Sequence, residues 1–371
     1  MQTRRTRFFG DGTFEWQFPS QDLRKSWKHY SCDPKRWWGM FPRARKAPKD
    51  LFKEYPWAVG PFTKFPGNPV LEPTRDAWDQ GRCNGGVHNG AVVVKGGRFY
   101  YVYRGECPND MPGMPVDYIC DVGLAVSDDG VRFVKDDGHS PFFRRGEDRR
   151  YSYEDVNIAR YGATYYLFCN QWYWPDQKDP RINGTFLATS RDLLHWRKVG
   201  IVFPQAERTH RNAVVLQGPD NEAVRVGGRF VMYINDGLIA YSEDMVHWTS
   251  RDMKGGGLRG ECCFALADHC EDPDRIVLFT GGNHTGHFYA VGEELFSKRH
   301  PEKPLAYLPC PVLNADPGIP HESGFAKGSR SEFVSCFSDC VFFNGLTRHQ
   351  GKWWLYYGGS EYYTCLATAP A

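Results

Sequence analysis

The stretch Gly-Gly-Arg-Phe-Tyr-Tyr-Val-Tyr (96–103) is the first of five similar segments that decide the fold. Each segment is a turn followed by a strand rich in aromatic residues. The other four are Gly-Ala-Thr-Tyr-Tyr-Leu-Phe (162–168), Gly-Gly-Arg-Phe-Val-Met-Tyr (227–233), Pro-Asp-Arg-Ile-Val-Leu-Phe (273–279) and Gly-Lys-Trp-Trp-Leu-Tyr-Tyr (351–357). Their first apolar residues lie 66, 65, 46 and 77 positions apart. This recurrence indicates a repeat architecture with loops of uneven length.

A second type of segment follows each aromatic strand. Its five copies begin at Leu124, Leu187, Ile239, Tyr289 and Leu366, and each continues with Ala. Three copies then enter a Ser-Xaa-Asp turn, in which the Asp can bond its own backbone. Two strand types repeated in a fixed order predict an all-β fold, a five-bladed β-propeller.

The fifth repeat lacks a fourth strand, because the sequence ends soon after its Leu-Ala-Thr-Ala segment. The segment 62–73, which contains Asn-Pro-Val-Leu-Glu-Pro, is the predicted donor of that strand. We therefore expect residues 61–371 to form one catalytic propeller domain closed by strands from both termini. Residues 1–60, rich in Trp and Lys, are expected to be an N-terminal extension that packs on the propeller or on a neighbouring subunit.

Composition excludes several classes of protein. The 371 residues include 46 Lys and Arg against 44 Asp and Glu, too even a balance for a nucleic-acid binder with a basic face. No apolar stretch approaches the ~20 residues that span a bilayer, and the basic start is followed by no apolar segment of a secretory signal. The twelve cysteines show no disulfide framework, so we expect reduced thiols and a cytoplasmic protein. No cofactor motif and no metal-binding quartet stands out, so neither a cofactor nor a metal is predicted.

Carboxyl groups lie just upstream of the repeated hairpins. The first strand of each propeller blade lines the central channel, where acidic residues are costly unless hydrated, paired or used. Four blades supply Asp155, Glu222, Glu261 and Asp339. Glycoside hydrolysis needs two carboxyl groups, one acid and one base or nucleophile. The structural alternative is a turn-capping Asp, or a carboxylate paired with Arg104, Arg160, Arg211 or Arg259. For Asp339, sugar binding is favoured over catalysis.

Aromatic and histidine side chains add to this picture. Trp172-Tyr-Trp174 follows the second hairpin, where a loop should overhang the channel, and aromatic rings stack on the C–H faces of sugars. The alternative is that these rings fill the space between blades. His195 and His247 lie in the repeated turns and are expected to be structural. His284 and His287 are candidates to touch ligand, bind metal or cap a turn.

From about Asn68 to its end, the chain resembles glycoside hydrolase family 130, the β-mannoside phosphorylases and β-mannosidases. The resemblance depends on Asn-Pro-Val-Leu-Glu-Pro, Asn-Gly-Ala before the first hairpin, Tyr103-Arg104-Gly, the Glu154-Asp155 pair, and the closing Leu-Tyr-Tyr-Gly-Gly-Ser…Leu-Ala-Thr-Ala. In that family the Asp of a Glu-Asp-Pro-Arg motif is the general acid, which implies this role for Asp155. Here the motif continues as Val-Asn, so the chain resembles a divergent member.

The resemblance also implies a reaction. The family's hydrolases carry glutamates where its phosphorylases hold phosphate with basic residues, and Glu222 and Glu261 look similar to that glutamate pair. It implies inverting, exo-acting hydrolysis of a β-mannoside or related glycoside. Asp155 would protonate the glycosidic oxygen, directly or through a sugar hydroxyl, and Glu222 or Glu261 would deprotonate the water. The residues expected to bind substrate are His88, Asn89, Arg104, Glu154, Trp172, Arg211, Asn212 and Asp339.

Two other functions stay open. In a phosphorylase releasing mannose 1-phosphate, Arg211 with His210 would hold the phosphate. A non-catalytic carbohydrate-binding propeller would keep the aromatic residues without needing Asp155. Glycosidase families 43 and 32 share the fold but need an Asp on the first blade, where this chain has His88-Asn89. Members of family 130 are often oligomeric, so the resemblance implies a homo-oligomer as one candidate assembly.

Overall fold

The computed structural model describes residues 7–8, 14–15, 50–74, 77–80, 86–108, 118–143, 151–173, 181–204, 210–254, 258, 260–283, 289–316, 318–323 and 340–371. The chain divides into two compact units, Met1–Asp33 and Pro34–Ala371. In the first unit, strand β1 (Arg7–Phe8) pairs antiparallel with β2 (Phe14–Glu15). Most of the predicted extension, residues 1–60, lies outside the described residues and stays a prediction. Within the described ranges, no helix has the length and hydropathy needed to cross a bilayer.

The second unit consists almost entirely of strands, which confirms the all-β class. Its described residues include two short α-helices, α1 (Leu51–Glu54) and α2 (Pro320–Ser323), and one 3₁₀ turn (Asn235–Gly237). Its strands are β3 (Thr63–Lys64), β4 (Val87–Lys95), β5 (Arg98–Pro108), β6 (Tyr118–Ser127), β7 (Val134–Lys135), β8 (Tyr151–Tyr161), β9 (Thr164–Tyr173), β10 (Arg181–Ser190), β11 (Arg197–Ile201), β12 (Val214–Gln217), β13 (Arg225–Val226), β14 (Arg229–Ile234), β15 (Leu238–Ser242), β16 (Trp248–Asp252), β17 (Glu261–Ala267), β18 (Arg275–Asn283), β19 (Tyr289–Ser297), β20 (Ala306–Tyr307), β21 (Val341–His349), β22 (Lys352–Gly359) and β23 (Tyr363–Pro370).

These strands form antiparallel meanders that follow the sequence repeats. Sheet 1 is β4–β7, sheet 2 is β8–β11, and sheet 5 is β21–β23 with β3 added at its edge. The remaining strands form one nine-stranded sheet. Its halves, sheet 3 (β12–β16) and sheet 4 (β17–β20), are joined where β12 pairs parallel with β17 through Leu216 and Gln217.

The edge of sheet 5 joins distant parts of the sequence. Strand β3 pairs antiparallel with β23, with Lys64 opposite Ala367 and Thr63 opposite Thr368. The side chain of Asn68 extends this pairing, because its Nδ2 donates to Leu366 O at 2.9 Å and its Oδ1 accepts from Leu366 N at 2.8 Å. Strand β3 therefore lies in the segment 62–73 that the sequence predicted as the donor.

The core lies between neighbouring sheets, where the repeated aromatic and aliphatic residues face one another. Burying such side chains is the dominant favourable contribution to folding. The pairs of sheets share apolar clusters that contain Val102 and Ile158 (sheets 1 and 2), Phe168 and Met232 (2 and 3), Val231 and Leu278 (3 and 4), Phe279 and Phe343 (4 and 5), and Tyr101 and Tyr356 (5 and 1). Each sheet thus packs on the next, and sheet 5 packs on sheet 1.

The Ser-Xaa-Asp turns have the hydrogen bonds that the sequence predicted. Ser190 Oγ donates to Asp192 Oδ1 at 3.0 Å, and that oxygen also accepts from the backbone N–H groups of Leu194 and His195. The ring of His195 bonds Asp192 Oδ2 at 2.8 Å. His247 makes the same bond to Asp244 at 2.7 Å, so both histidines are parts of turns, as predicted.

Candidate active site

The first strands of four of the five sheets share one irregularity, a shift in pairing register that redirects side chains. The pairing register shifts in β4 between His88 and Ala91, in β8 between Glu154 and Asn157, and similarly in β17 and β21. Bulges of this kind re-aim side chains and are frequent beside active sites. Asn89, Asp155 and Asn212 have positive φ angles of 44°, 56° and 49°, a conformation that Asn and Asp adopt more readily than most residues.

These three residues with positive φ angles belong to a continuous chain of hydrogen bonds that runs across sheets 1 to 4. Asn89 Nδ2 donates to Asp155 Oδ1 at 2.8 Å, and Asn170 Nδ2 donates to Asp155 Oδ2 at 2.8 Å. The same Asn170 amide also reaches Asn212 Oδ1 at 2.6 Å. Asn212 Nδ2 in turn donates to Glu261 Oε2 at 3.1 Å. Two side-chain amides therefore link the carboxyl group of Asp155 to that of Glu261, and we call this the amide–carboxyl chain.

Arg104 lies beneath Asp155 and joins three carboxyl groups. Its guanidinium nitrogens lie 3.4 Å from Asp155 Oδ1, 3.0 Å from Glu106 Oε1 and 3.7 Å from Glu154 Oε1. Trp172 Nε1 donates to Glu154 Oε2 at 3.0 Å, so the indole is fixed against the same group. Burial raises the pKa of Glu154 above its ordinary value, and the opposing charge of Arg104 does not cancel this.

Glu261 has a carboxyl group suited to exchange protons near neutral pH. Burial raises the pKa of Glu261 to about 7, while Arg211 opposes the shift and Asp155 adds to it. The charge of Arg211 also lowers the pKa of Glu154, which places Arg211 near both glutamates. His88, fully buried beside Asn89, has a pKa well below 6.5 because of burial and the nearby Arg104, so its imidazole is neutral.

Glu361 is a further carboxyl group at this place, and the sequence reasoning missed it. Burial raises the pKa of Glu361 to about 8, with further contributions from Glu106, Asp155 and Glu261 and an opposing one from Arg104. The backbone places the turn that carries Glu361 beside β4, because Gly86 N donates to Glu361 O at 3.0 Å and a Cβ atom added to Gly358 would lie 3.7 Å from Asn89 Oδ1. Glu361 directly follows the Gly-Gly-Ser segment used for the family resemblance, so its signal was one residue beyond the motif.

Asn170 was not predicted, because it does not lie upstream of a hairpin, where the other candidate residues are found. It lies on the second strand of its sheet, β9, and is almost fully buried. The available signal was an amide within the aromatic segment Phe168-Cys-Asn-Gln-Trp172. A buried amide must find partners, and those of Asn170 are Asp155 and Asn212.

Glu222 is not brought to this site, which corrects the prediction that placed it with Asp155 and Glu261. Its Oε2 pairs with Arg160 at 2.8 Å and its Oε1 accepts from Gly162 N at 3.1 Å. Arg160 lies five residues beyond Asp155 on β8, and such a separation is roughly 15 Å along a strand. The strand β12 ends at Gln217, so Glu222 falls in the following loop instead of on a first strand.

The other candidates have the following positions. His210 bonds Ser250 Oγ at 2.8 Å and stacks on Phe203 with ring centroids 4.2 Å apart. Asp339, Trp174, His284 and His287 lie outside the described residues. Among the residues that the structure describes, no three His, Cys, Asp or Glu side chains are grouped so as to hold a metal ion.

The chemical capacity of the site follows from this geometry. A carboxyl group held by amides and a guanidinium, Asp155, lies two amides away from a carboxyl group with a pKa near neutrality, Glu261. Such a pair is suited to general acid–base catalysis, which works best when the catalytic pKa lies near the operating pH.

Two proteins of known activity are similar in sequence to this chain. The chain is 24% identical over 319 residues to a 1,2-beta-oligomannan phosphorylase of Thermoanaerobacter sp. (strain X514), which covers 79% of this chain and 92% of that protein. A beta-1,2-mannobiose phosphorylase of the same organism is 24% identical over 187 residues, 46% of this chain and 53% of that protein. No protein-family model matches the chain.

Solved structures of mannoside-active proteins are also similar to this chain. One solved structure has a TM-score of 0.68 and 25% identity, over 88% of this chain and 98% of its own. It belongs to the GH130 family of mannoside phosphorylases, which contains glycoside hydrolases that target beta-1,2 mannosidic linkages in Candida mannan. The beta-1,2-mannobiose phosphorylase of Listeria innocua has the same fold, with a TM-score of 0.60 and 15% identity over 83% of this chain and 96% of its own. The resemblance of the chain to glycoside hydrolase family 130 is thereby confirmed.

Proposed function

We propose that this chain cleaves a terminal β-mannosidic linkage by hydrolysis with inversion, with Asp155 as the acid and Glu261 as the base. The observation that carries the proposal is the amide–carboxyl chain, which holds the two groups apart and in fixed relation. Inverting enzymes keep their carboxyl groups about 6.5–9.5 Å apart to admit a water molecule. Asp155 and Glu261 are joined through two amides instead of contacting each other, which fits that requirement.

The proposed reaction balances as follows. Asp155 gives its proton to the glycosidic oxygen, directly or through a sugar hydroxyl, as the bond from that oxygen to C1 breaks. A water oxygen attacks C1 from the opposite face, and Glu261 takes a proton from that water. A β-linked sugar is released as its α-anomer. Arg104 and Asn89 hold Asp155 in place, while the partly exposed Glu154, Trp172 and Glu361 are available to bind hydroxyl groups and stack on the ring. His88 is fully buried beside Asn89, so it would support Asn89 instead of contacting the sugar.

The substrate class is proposed from the relatives. The names of both Thermoanaerobacter proteins and of the GH130 structure specify β-1,2-linked mannosides. We therefore propose a β-1,2-linked mannobiose or oligomannan as the substrate, acted on from one end.

Phosphorolysis is the second candidate, because the curated relatives are phosphorylases and Arg211 lies beside Glu261 and Glu154. Inorganic phosphate would then attack C1 and mannose 1-phosphate would leave. Against it, the described site contains five carboxyl groups, Asp155, Glu106, Glu154, Glu261 and Glu361, and only two guanidinium groups, Arg104 and Arg211. Both guanidinium groups already face carboxyl groups, Arg104 with Asp155 and Glu106 and Arg211 with Glu261, so little positive charge is left to bind a phosphate dianion.

The architecture and setting belong to the same proposal. The order in which the sheets pack supports a five-bladed β-propeller over residues 61–371, with residues 1–60 as an extension. Among the described residues no disulfide bond joins the cysteines, which supports a reducing, cytoplasmic setting.

The decisive experiment measures turnover of β-1,2- and β-1,4-mannobiose with and without inorganic phosphate, in the wild type and in Asp155→Asn. We expect mannose without phosphate, released as the α-anomer by NMR, and loss of turnover in the variant. Mannose 1-phosphate formed only with phosphate would replace hydrolysis by phosphorolysis. Binding of mannosides without any turnover would identify a carbohydrate-binding protein.

A further inference from the structure

The turn between β22 and β23, which carries Glu361, has an unusual backbone. Ser360 and Glu361 both have a φ of 52°, although neither is glycine. Tyr362 N closes the turn by donating to Gly359 O at 3.0 Å. Residues with side chains adopt this left-handed conformation at a cost in free energy, so it persists only where the surroundings impose it.

The surroundings of this turn are provided mainly by the segment that contains α2. Ser360 Oγ donates to the backbone carbonyl of Glu322 at 2.6 Å. A Cβ atom added to Gly359 would lie 2.6 Å from the carbonyl oxygen of His321, so the two backbones are in close contact. On the other side, Gly86 N donates to Glu361 O at 3.0 Å, just before β4 and its site residues His88 and Asn89.

Glu322 is itself firmly fixed. Its side chain is fully buried, and its Oε1 accepts from Tyr357 Oη at 2.7 Å. Its Oε2 accepts from the backbone N–H of Asp316 at 2.7 Å and from Lys64 Nζ of strand β3. A buried carboxylate needs such partners, and removing one strongly destabilises the arrangement. Glu322 therefore connects three features: strand β3, strand β22 and the turn that presents Glu361.

We propose that Glu322 is a positioning residue, which fixes the strained Gly359–Tyr362 turn so that Glu361 faces the amide–carboxyl chain. The inference rests on the proposed function, because it takes that site as the place of reaction. It assigns no contact with substrate to Glu322, which acts through Ser360 and Glu361. Strand β3, through Lys64, contributes to the same support.

A double-mutant cycle tests this link. We expect Ser360→Ala and Glu322→Gln each to lower kcat/KM for the mannoside by about tenfold or more, since displacement of a site group by about 1 Å can cost 10²-fold. In a Glu361→Gln background the same substitutions should cause no further loss. Additive effects in the two backgrounds would overturn the proposal, because a general loss of stability does not depend on Glu361.

Ser242→Ala is the matched control, since Ser242 is buried and hydrogen-bonded in a repeated turn. It should lower the melting temperature without lowering kcat/KM. If Glu322→Gln does not fold, Ser360→Ala alone completes the cycle.

A second readout does not need a substrate. In protein labelled with 13C at the glutamate carboxyl groups, the Glu361 signal is assigned by its loss in Glu361→Gln. We expect its pKa, about 8 in the wild type, to move towards 4.5 in Ser360→Ala as the loosened turn becomes hydrated. An unchanged titration would overturn the positioning role even if the protein cleaves no mannoside, whereas absence of turnover with a shifted titration would count only against the proposed function.

Discussion

Glu261 and Glu222 are the same residue type in different surroundings. Glu261 is largely buried, accepts a hydrogen bond from Asn212, and lies near both Arg211 and Asp155. Glu222 is one-third exposed and pairs with Arg160. A partly exposed carboxylate with a dedicated cation is stabilised in its charged form, whereas burial raises the pKa of Glu261 so that it can exchange its proton near neutrality.

This contrast gives the first prediction. We expect Glu261→Gln to lower kcat/KM by about 10²–10⁴-fold, the usual contribution of a general base. Glu222→Gln should leave kcat/KM unchanged and cost at most about 1 kcal/mol of stability, because its ion pair is partly exposed to water. Steady-state kinetics and chemical denaturation of the two variants measure both effects. Equal losses of activity would return Glu222 to the site.

The pH dependence provides the second prediction. Glu261 must be ionised to accept a proton from water, and its pKa is about 7. The rate, as kcat/KM, should therefore rise as the pH increases through about 7 and fall as the pH decreases below it. A profile from pH 5 to 9 in the wild type and in Glu261→Gln checks the assignment, since the variant should lose this limb. The same limb persisting in the variant would assign it to another group.

At the scale of single residues, the sequence predicted most of the residues that the structure brings together at the candidate site. The residues that were misplaced or missed have physical explanations. Asn89, Arg104 and Asp155 were found because they lie at fixed positions relative to a hairpin. Glu222 was misplaced because β12 is short, a length that depends on its parallel partner β17 and not on local sequence. Asn170 was missed because its role depends on contacts with Asp155 and Asn212, which the local sequence does not reveal.

The elements with the clearest local signals are the Ser-Xaa-Asp turns. Each is held by bonds between residues at most three positions apart, as in Ser190 to Asp192 and Asp192 to His195. Burial is the largest single contribution and opposes ionisation of Asp192, but the hydrogen bonds from His195, Leu194 and Ser190 together lower its pKa below the ordinary value. The bulges in β4 and β8 had no such signal, because a bulge depends on the partner strand.

The turns give the third prediction. We expect Asp192→Ala to lower the free energy of unfolding by about 1 kcal/mol at pH 7, a modest value because the carboxylate is partly exposed. Because the pKa of Asp192 is lowered on folding, its stabilising effect is present above pH 4 and is lost as the pH falls below it. Urea denaturation at pH 7 and pH 3 measures this, with the exposed Asp128→Ala as the control. An equal difference at both pH values would contradict the carboxylate's role.

For the whole of Pro34–Ala371, the repeats predicted the order of the meanders and the segment that supplies β3. They could not predict the parallel junction of β12 with β17, which consists of only two residue pairs without a sequence signature. The repeats also gave no indication of Glu322, whose partners Lys64 and Tyr357 are distant in sequence.

The junction of β3 with β23 gives the fourth prediction. Asn68→Ala removes hydrogen bonds to Leu366 N, Leu366 O and Tyr357 Oη. We expect a loss of about 2–4 kcal/mol in the free energy of unfolding, because backbone groups of Leu366 lose their partners. Thr63→Ala, whose side chain is exposed, should cost less than about 0.5 kcal/mol. Calorimetry of both variants compares them, and equal melting temperatures would show that the Asn68 side chain does not support the junction.

The same junction determines when this protein can finish folding. The hydrogen bond between Asn68 and Leu366 spans 298 positions of sequence, so β3 has no partner while the ribosome is still making the intervening sheets. Domains generally fold as their residues emerge, but pairings this far apart wait for the chain to be synthesised and are slow to form. During translation β3 therefore stays without its partner until β23 has been synthesised, and closure of sheet 5 is expected to be a late step in folding.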